Sequence, residues 1–332
     1  MRRAGALRVP RVARSRARAA CVPRAACVPR AVRARAALGF ALAMTAALTV
    51  AACSGPAPAP NRPPHPAPRA PVTSYYLALG DSLSQGVQPD AAGASVETGQ
   101  GYPDLIYATL HRGHPGLRLV TLGCPGETTR TMIDGGICGY YPARSQLDAA
   151  VAFLRAHRGR VLLITIDIGA NDPEDCGLAD LAKSVSCLTS GIPDAVDNLT
   201  TIMHRLRAAA GPRVRIVGMN YYLPELAEWR DGLPGQAAAW LAERLAAGYN
   251  ALLDRVYTAS GARVANVFGA FQTADFAGLA AVPGLGTVPH NVALLCRWTW
   301  ECAAPPRGPN QHANKAGYQV IAGTVLAASG LG

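Results

Sequence analysis

Gly80-Asp81-Ser82-Leu83 follows directly on the apolar run Tyr75 to Leu79, which sets one serine at the C-terminal end of a predicted strand. In open α/β sheets, ligands bind beyond that edge. A hydroxyl is a weak nucleophile at neutral pH, so Ser82 needs a base and a site for the oxyanion formed when it attacks a carbonyl. Two more strand-like runs lead into segments that fit the second requirement: Gly123-Cys124-Pro125-Gly126-Glu127-Thr128-Thr129 and Gly169-Ala170-Asn171-Asp172. Glycine lets backbone approach a reacting atom, which suits the N–H of Gly126, and an amide donates, which suits Asn171. Taken singly, each reads equally well as a turn or capping residue.

The base is expected to be a histidine on a loop that reaches the serine. His312, in Gly308-Pro309-Asn310-Gln311-His312-Ala313-Asn314, lies just before the last helical pattern. His65 falls in a proline-rich stretch, while His111, His114, His157 and His204 lie on or near predicted helix ends. His290, in a Gly- and Pro-rich loop, is the one rival and reads as structural.

These residues need a sheet to hold them. Five apolar runs are predicted strands: Tyr75 to Leu79, Leu117 to Leu122, Val161 to Ile168, Val214 to Met219 and Arg263 to Val267. Helical spacing occupies Pro103 to Leu110, Gln146 to His157, Asp194 to Ala209 and Gln236 to Tyr257, and a final helix runs from Asn314 to Ala328. Strands alternating with helices predict a doubly wound α/β domain over 73–332, a three-layer sandwich, with α/β of another strand order as the competitor.

The blocks Gly-Asp-Ser-Leu at 80–83, Pro-Gly-Glu-Thr-Thr around Gly126, Gly-Ala-Asn-Asp at 169–172, and His312 followed by Asn314 and Gly317-Tyr318 stand in one order. That order resembles the SGNH (GDSL) hydrolases, and the likeness to secreted actinobacterial members extends through Gln146-Leu147-Asp148 and Thr299-Trp300-Glu301-Cys302. The resemblance implies a flavodoxin-like sheet of five parallel strands in order 2-1-3-4-5. It also implies Ser82 as nucleophile and His312 as base, then acid. Its oxyanion donors would be the main-chain N–H groups of Ser82 and Gly126 and the side-chain amide of Asn171. The family usually carries Asp three residues before the histidine, where this chain has Pro309. An imidazole still needs an acceptor to fix its tautomer, so the Pro309 carbonyl is the expected partner, with Asp275 as the rival. Asp81 is expected to be a structural hydrogen-bonding residue and Asp172 a brace for the Asn171 loop.

The net charge of +11 invites a nucleic-acid reading, but residues 1–35 hold eleven arginines and no acid, and the chain from Cys53 onward is electrically balanced. The basicity belongs to a leader, so nucleic acid is excluded as a partner. An Arg-rich segment over 1–35 followed by an uncharged run over 36–52 reads as an export signal, and the run is shorter than the ~20 residues of a spanning helix. Val50-Ala51-Ala52-Cys53 resembles the lipobox of bacterial lipoproteins, which would place a lipid anchor on Cys53; ordinary cleavage there is the alternative. Residues 53–72 then form a Pro-rich linker, eight of its residues being proline, in extended conformation.

Beyond Cys53 stand Cys124, Cys138, Cys176, Cys187, Cys296 and Cys302, without metal-ligand spacing. An even count behind an export signal reads as three disulfides, and closeness in sequence favours sequential pairs. The chain is therefore expected to be an exported, monomeric serine ester hydrolase, needing no metal or cofactor and acting on a lipid or small acyl ester. A deacetylase or acyltransferase on cell-envelope glycans is the second reading, and a catalytically inactive surface-binding protein the third.

Overall fold

The computed structural model describes residues 72–140, 142–173 and 190–332. The leader, most of the linker, Cys53, Cys176 and Cys187 lie outside the described residues.

Apolar residues on both faces make the five runs parallel strands, since a strand covered by helices on both sides has no solvent face. Tyr76, Leu77, Ala78 and Leu79 of β1 (Ser74–Gly80) are fully buried, as are Leu163, Ile164 and Ile166 of β3 (Val161–Asp167). With β2 (Leu117–Thr121), β4 (Arg215–Met219) and β5 (Arg263–Ala265) they form one all-parallel sheet in the order β2-β1-β3-β4-β5. The progression reverses at β1, so the crevice between the loops after β1 and β3 is the topological switch point, and Ser82 follows β1 into it.

Around the sheet run α1 (Tyr102–Gly113), α2 (Thr129–Asp134), α3 (Gln146–Ala156), α4 (Ile192–Ala210), α5 (Gly232–Ala259), α6 (Val267–Ala270), α7 (His290–Trp298) and α8 (Lys315–Ser329). Helices α3, α4 and α5 pack side by side, and α1 packs on α8. Right-handed crossovers put those two sets on opposite faces, completing three layers.

Two differences from expectation have local causes. The strand expected to reach Val267 ends at Ala265, because Asn266 turns its side chain back to cap the next turn, its Oδ1 accepting from Gly269 N at 2.8 Å. Helix α7 lies inside 269–309, a stretch whose Gly and Pro content reads as loop. Its buried Asn291, Val292 and Leu295 face the core at helical spacing. The same stretch also contains a hairpin of Leu279–Val282 and Gly286–Pro289.

Cys124 is bonded to Cys138 and Cys296 to Cys302, two of the sequential pairs expected. The first closes the loop that carries Gly126, and a loop of that size typically adds about 3 kcal/mol through the unfolded state. Among the described residues no helix is long and apolar enough to cross a membrane.

Candidate active site

Ser82 sits at the top of a tight turn, partly exposed, with its carbonyl accepting from Gln85 N at 3.2 Å and Val87 N at 3.1 Å. The turn can form there because position 80 is glycine. Gly80 has φ +134°, and a Cβ on it would lie 2.0 Å from the Asp167 carbonyl oxygen. Asp81 behaves as the structural residue expected, its Oδ1 accepting from Leu83 N at 3.0 Å.

Sheet register brings the second loop alongside. Cys124 N donates to Gly80 O at 3.0 Å, and Gln85 Nε2 donates to Gly123 O at 2.7 Å. Gly126 then turns at φ +79°, a conformation that favours glycine, and is exposed. The third loop meets the second through Asn171, whose Nδ2 donates to Glu127 O at 2.8 Å. That bond uses one of the two Nδ2 hydrogens and fixes the amide next to the Gly126 turn. Asp172 braces the junction, accepting from Thr129 N at 2.9 Å and Thr129 Oγ1 at 2.5 Å at the start of α2.

Gln146 and Glu127 form a support that sequence reasoning missed. The fully buried Gln146 side chain accepts from Gly80 N at 2.7 Å, donates to Gly80 O at 2.9 Å and donates to Glu127 Oε2 at 2.9 Å. One amide thus ties the root of the Ser82 turn to the residue after Gly126. Burial pushes the Glu127 carboxyl up, with hydrogen bonds from Gln146, Thr131 and Tyr140 opposing it. Both residues stand in blocks that carry the family resemblance, but nothing in the linear pattern joins them; the local signal is a polar residue opening an otherwise apolar helical pattern.

His312 is delivered by the segment ahead of α8. Trp300 N donates to His312 O at 3.0 Å, and Asn314 caps α8 by accepting from Ala316 N at 2.9 Å and Gly317 N at 3.1 Å. The segment is stitched to the Ser82 region by Tyr318 OH to Val87 O at 2.9 Å, Asn310 Nδ2 to Ser95 Oγ at 3.0 Å and Trp300 Nε1 to Gln88 Oε1 at 3.3 Å. Tyr222 OH donates to Gln311 O at 2.8 Å, and Tyr221 OH to Asp81 Oδ2 at 3.1 Å. Both tyrosines are buried, so they build the sheet edge.

The partner of the imidazole differs from both expectations. His312 Nδ1 lies 2.8 Å from Asn310 Oδ1, not on the Pro309 carbonyl. The backbone N–H of His312 donates to the same Oδ1 at 3.1 Å. An atom that accepts from a backbone N–H is the oxygen, so Nδ1 carries the hydrogen and Nε2 keeps its lone pair. A side chain two residues back reaches the ring because the turn folds it over its own backbone. Asp275, the rival, is committed elsewhere: Oδ2 lies 3.0 Å from His290 Nδ1, and Oδ1 accepts from Ala277 N and Gly278 N. Burial lowers the His312 imidazole to about 4, so it is neutral at pH 7 and able to take a proton.

The arrangement therefore offers a serine hydroxyl, a neutral imidazole with a fixed tautomer, and N–H donors on neighbouring loops. Two cavities of about 540 and 460 Å³ lie elsewhere: the first is lined by residues of α4 and α5, the second by the 280–302 region including His290. Neither contains Ser82 or His312, and the chemistry assigns the site here rather than to volume.

A model of the GDSL-like lipase/acylhydrolase family matches residues 78–320. No curated protein matches the chain. Among solved structures, an extracellular lipase from Streptomyces rimosus is 19% identical with a TM-score of 0.49, covering 77% of this chain and 100% of that one. A phospholipase A1 from Streptomyces albidoflavus is 19% identical at TM-score 0.48, covering 78% and 100%. An acetylxylan esterase from Geobacillus stearothermophilus is 16% identical at 0.47, covering 79% and 97%.

Proposed function

Because the chain belongs to the GDSL-like lipase/acylhydrolase family and is a carboxylic ester hydrolase, we propose that it works through an acyl-enzyme on Ser82. Ser82 Oγ adds to the ester carbonyl carbon while its proton passes to His312 Nε2. The oxyanion is held by the N–H groups of Ser82 and Gly126 and by the Asn171 amide. Collapse expels the alcohol, which takes the proton back from His312; water then repeats the sequence and frees the acid. Asn310 Oδ1 keeps the Nδ1 hydrogen in place throughout.

The observation that carries this reading is the junction of Asn171 with Glu127 O, which fixes an amide donor beside the Gly126 turn. Fluorophosphonate labelling tests it: wild type is labelled at Ser82 and Ser82→Ala is not. Labelling that persists in Ser82→Ala overturns the assignment.

We further propose export and anchoring through Cys53, with residues 53–72 as the tether. The two disulfides favour an oxidising compartment. Cys53→Ser is expected to move the protein from the membrane fraction to the medium. A nitrophenyl ester series of increasing acyl length separates the substrate classes, since turnover of long chains marks a lipid ester. Acetyl release from glycan with little chain tolerance marks a deacetylase.

A further inference from the structure

The turn that carries Ser82 stands on two buried acids. Asp81 is 2% exposed and Asp167, at the end of β3, is 0% exposed, and the Asp81 carboxyl lies near enough to act on that of Asp167. The backbone joins them too, Asp81 N donating to Asp167 O at 3.0 Å. Both carboxyls hold the nucleophile's own turn: Leu83 N donates to Asp81 Oδ1 at 3.0 Å, and Ser84 N to Asp167 Oδ2 at 3.1 Å. Tyrosines close the remaining sides, with Tyr102 OH on Asp167 Oδ1 at 2.5 Å and Tyr221 OH on Asp81 Oδ2 at 3.1 Å.

The titratable groups facing the pair are Tyr76 on β1, Tyr102 on α1, Tyr221 and Tyr222 after β4, Tyr257 on α5 and Tyr318 on α8. No cation is among the groups that act on Asp167, and it takes part in no salt bridge among the described residues. Two neighbouring carboxyls away from water resist being charged together, because each anion destabilises the other. Burial first, and the Asp81 charge second, hold the Asp167 carboxyl well above the usual carboxylate range.

We propose that Asp81 and Asp167 share one proton, that the protonated pair is a positioning unit for Ser82, and that losing this proton sets the alkaline limit of activity. This rests on Ser82 being the nucleophile. With the proton gone, two anions repel across the turn and pull Leu83 N and Ser84 N apart. Displacing a reacting group by about 1 Å costs on the order of 10²-fold in rate.

The test compares wild type with Asp167→Asn, whose amide keeps a hydrogen bond but has no proton to lose. Turnover of nitrophenyl acetate is followed from about pH 7 to about pH 9.5. The ratio of alkaline to neutral activity is expected to be about tenfold higher in Asp167→Asn than in wild type; identical alkaline limbs in the two proteins overturn the role. Asp81→Asn carries the same expectation and substitutes if Asp167→Asn does not fold. A second measurement is independent of Ser82. A native state holding one extra proton has an unfolding constant that rises with pH above about pH 4, where unfolded carboxyls ionise, by up to about tenfold per pH unit in urea titrations, and a wild-type dependence no steeper than that of Asp167→Asn overturns the shared proton. If Ser82→Ala keeps its activity, the nucleophile assignment fails while this slope still reads the pair.

Discussion

Two loops of this molecule each hold a histidine by its Nδ1, and they do so with opposite chemistry. His290 faces the carboxylate of Asp275 at 3.0 Å, in a pair that is about one-third exposed on both sides. His312 faces the neutral amide oxygen of Asn310 at 2.8 Å, and burial brings its imidazole to about 4. The pair that looks like half of a triad is therefore the one set near the surface hairpin, with Asp275 drawn low chiefly by its hydrogen bond to His290. The pair ahead of α8 has a neutral amide behind the ring. A carboxylate stabilises an imidazolium, whereas an amide fixes only the tautomer. The His312 loop thus buys orientation without added basicity.

Replacing the two histidines is the largest test of that contrast. His312→Ala is expected to lower kcat by about 10⁴-fold or more, as loss of a catalytic base does. His290→Ala is expected to stay within about threefold, because a surface pair contributes little. Steady-state kinetics on a short nitrophenyl ester checks both, and a large loss in His290→Ala breaks the comparison.

The orienting residues come next. Asn310→Ala removes the side chain that lies on His312 Nδ1 and is expected to lower kcat by about 10- to 100-fold with KM little changed, the pattern of a loss felt mainly in the transition state. Asp275→Ala is expected to change kcat by less than about threefold. Should Asp275→Ala lose as much as Asn310→Ala, the division between the two loops is wrong.

The pH profile sharpens the same point. With the His312 imidazole at about 4, activity is expected to persist to low pH and to fall with an acid limb near that value. Asn310→Asp sets a carboxylate behind the ring, which favours the imidazolium, so the limb moves to higher pH. An acid limb that does not move in Asn310→Asp separates it from His312.

Much of this was legible beforehand, and the reasons differ by part. The strands were readable because parallel strands buried on two faces are unbroken apolar runs, and Ser82, Gly126 and Asn171 stand where such runs end. Asn310 was legible only as a neighbour of Pro309, since nothing in a linear pattern says that a side chain folds back over two residues to reach Nδ1. Gln146 and Asp167 act across 66 and 83 residues of chain, on Gly80 N and Ser84 N respectively. Asp167 also hides inside an apolar run, so only the strand register reveals that it stands opposite Gly80, next to Asp81. Helix α7 was obscured by the glycines and prolines that flank it rather than by its own residues.

The last expected effect is on stability, and it too separates the two histidines. His312 is neutral in the fold down to about pH 4, whereas an unfolded histidine takes a proton near pH 6.5. Below about pH 6.5 the unfolded chain therefore binds the proton first, so stability is complete above that pH and declines as pH falls towards about 4. The unfolding constant rises at most about tenfold per pH unit over that window. His312→Gln removes this component and is expected to flatten the dependence between about pH 4 and 6.5 in denaturant titrations. His290→Gln is expected to leave the slope from His312 in place, because His290 stands at the surface with a carboxylate beside it. If His290→Gln flattens the curve and His312→Gln does not, the buried neutral imidazole is at the wrong loop, and with it the assignment of the base.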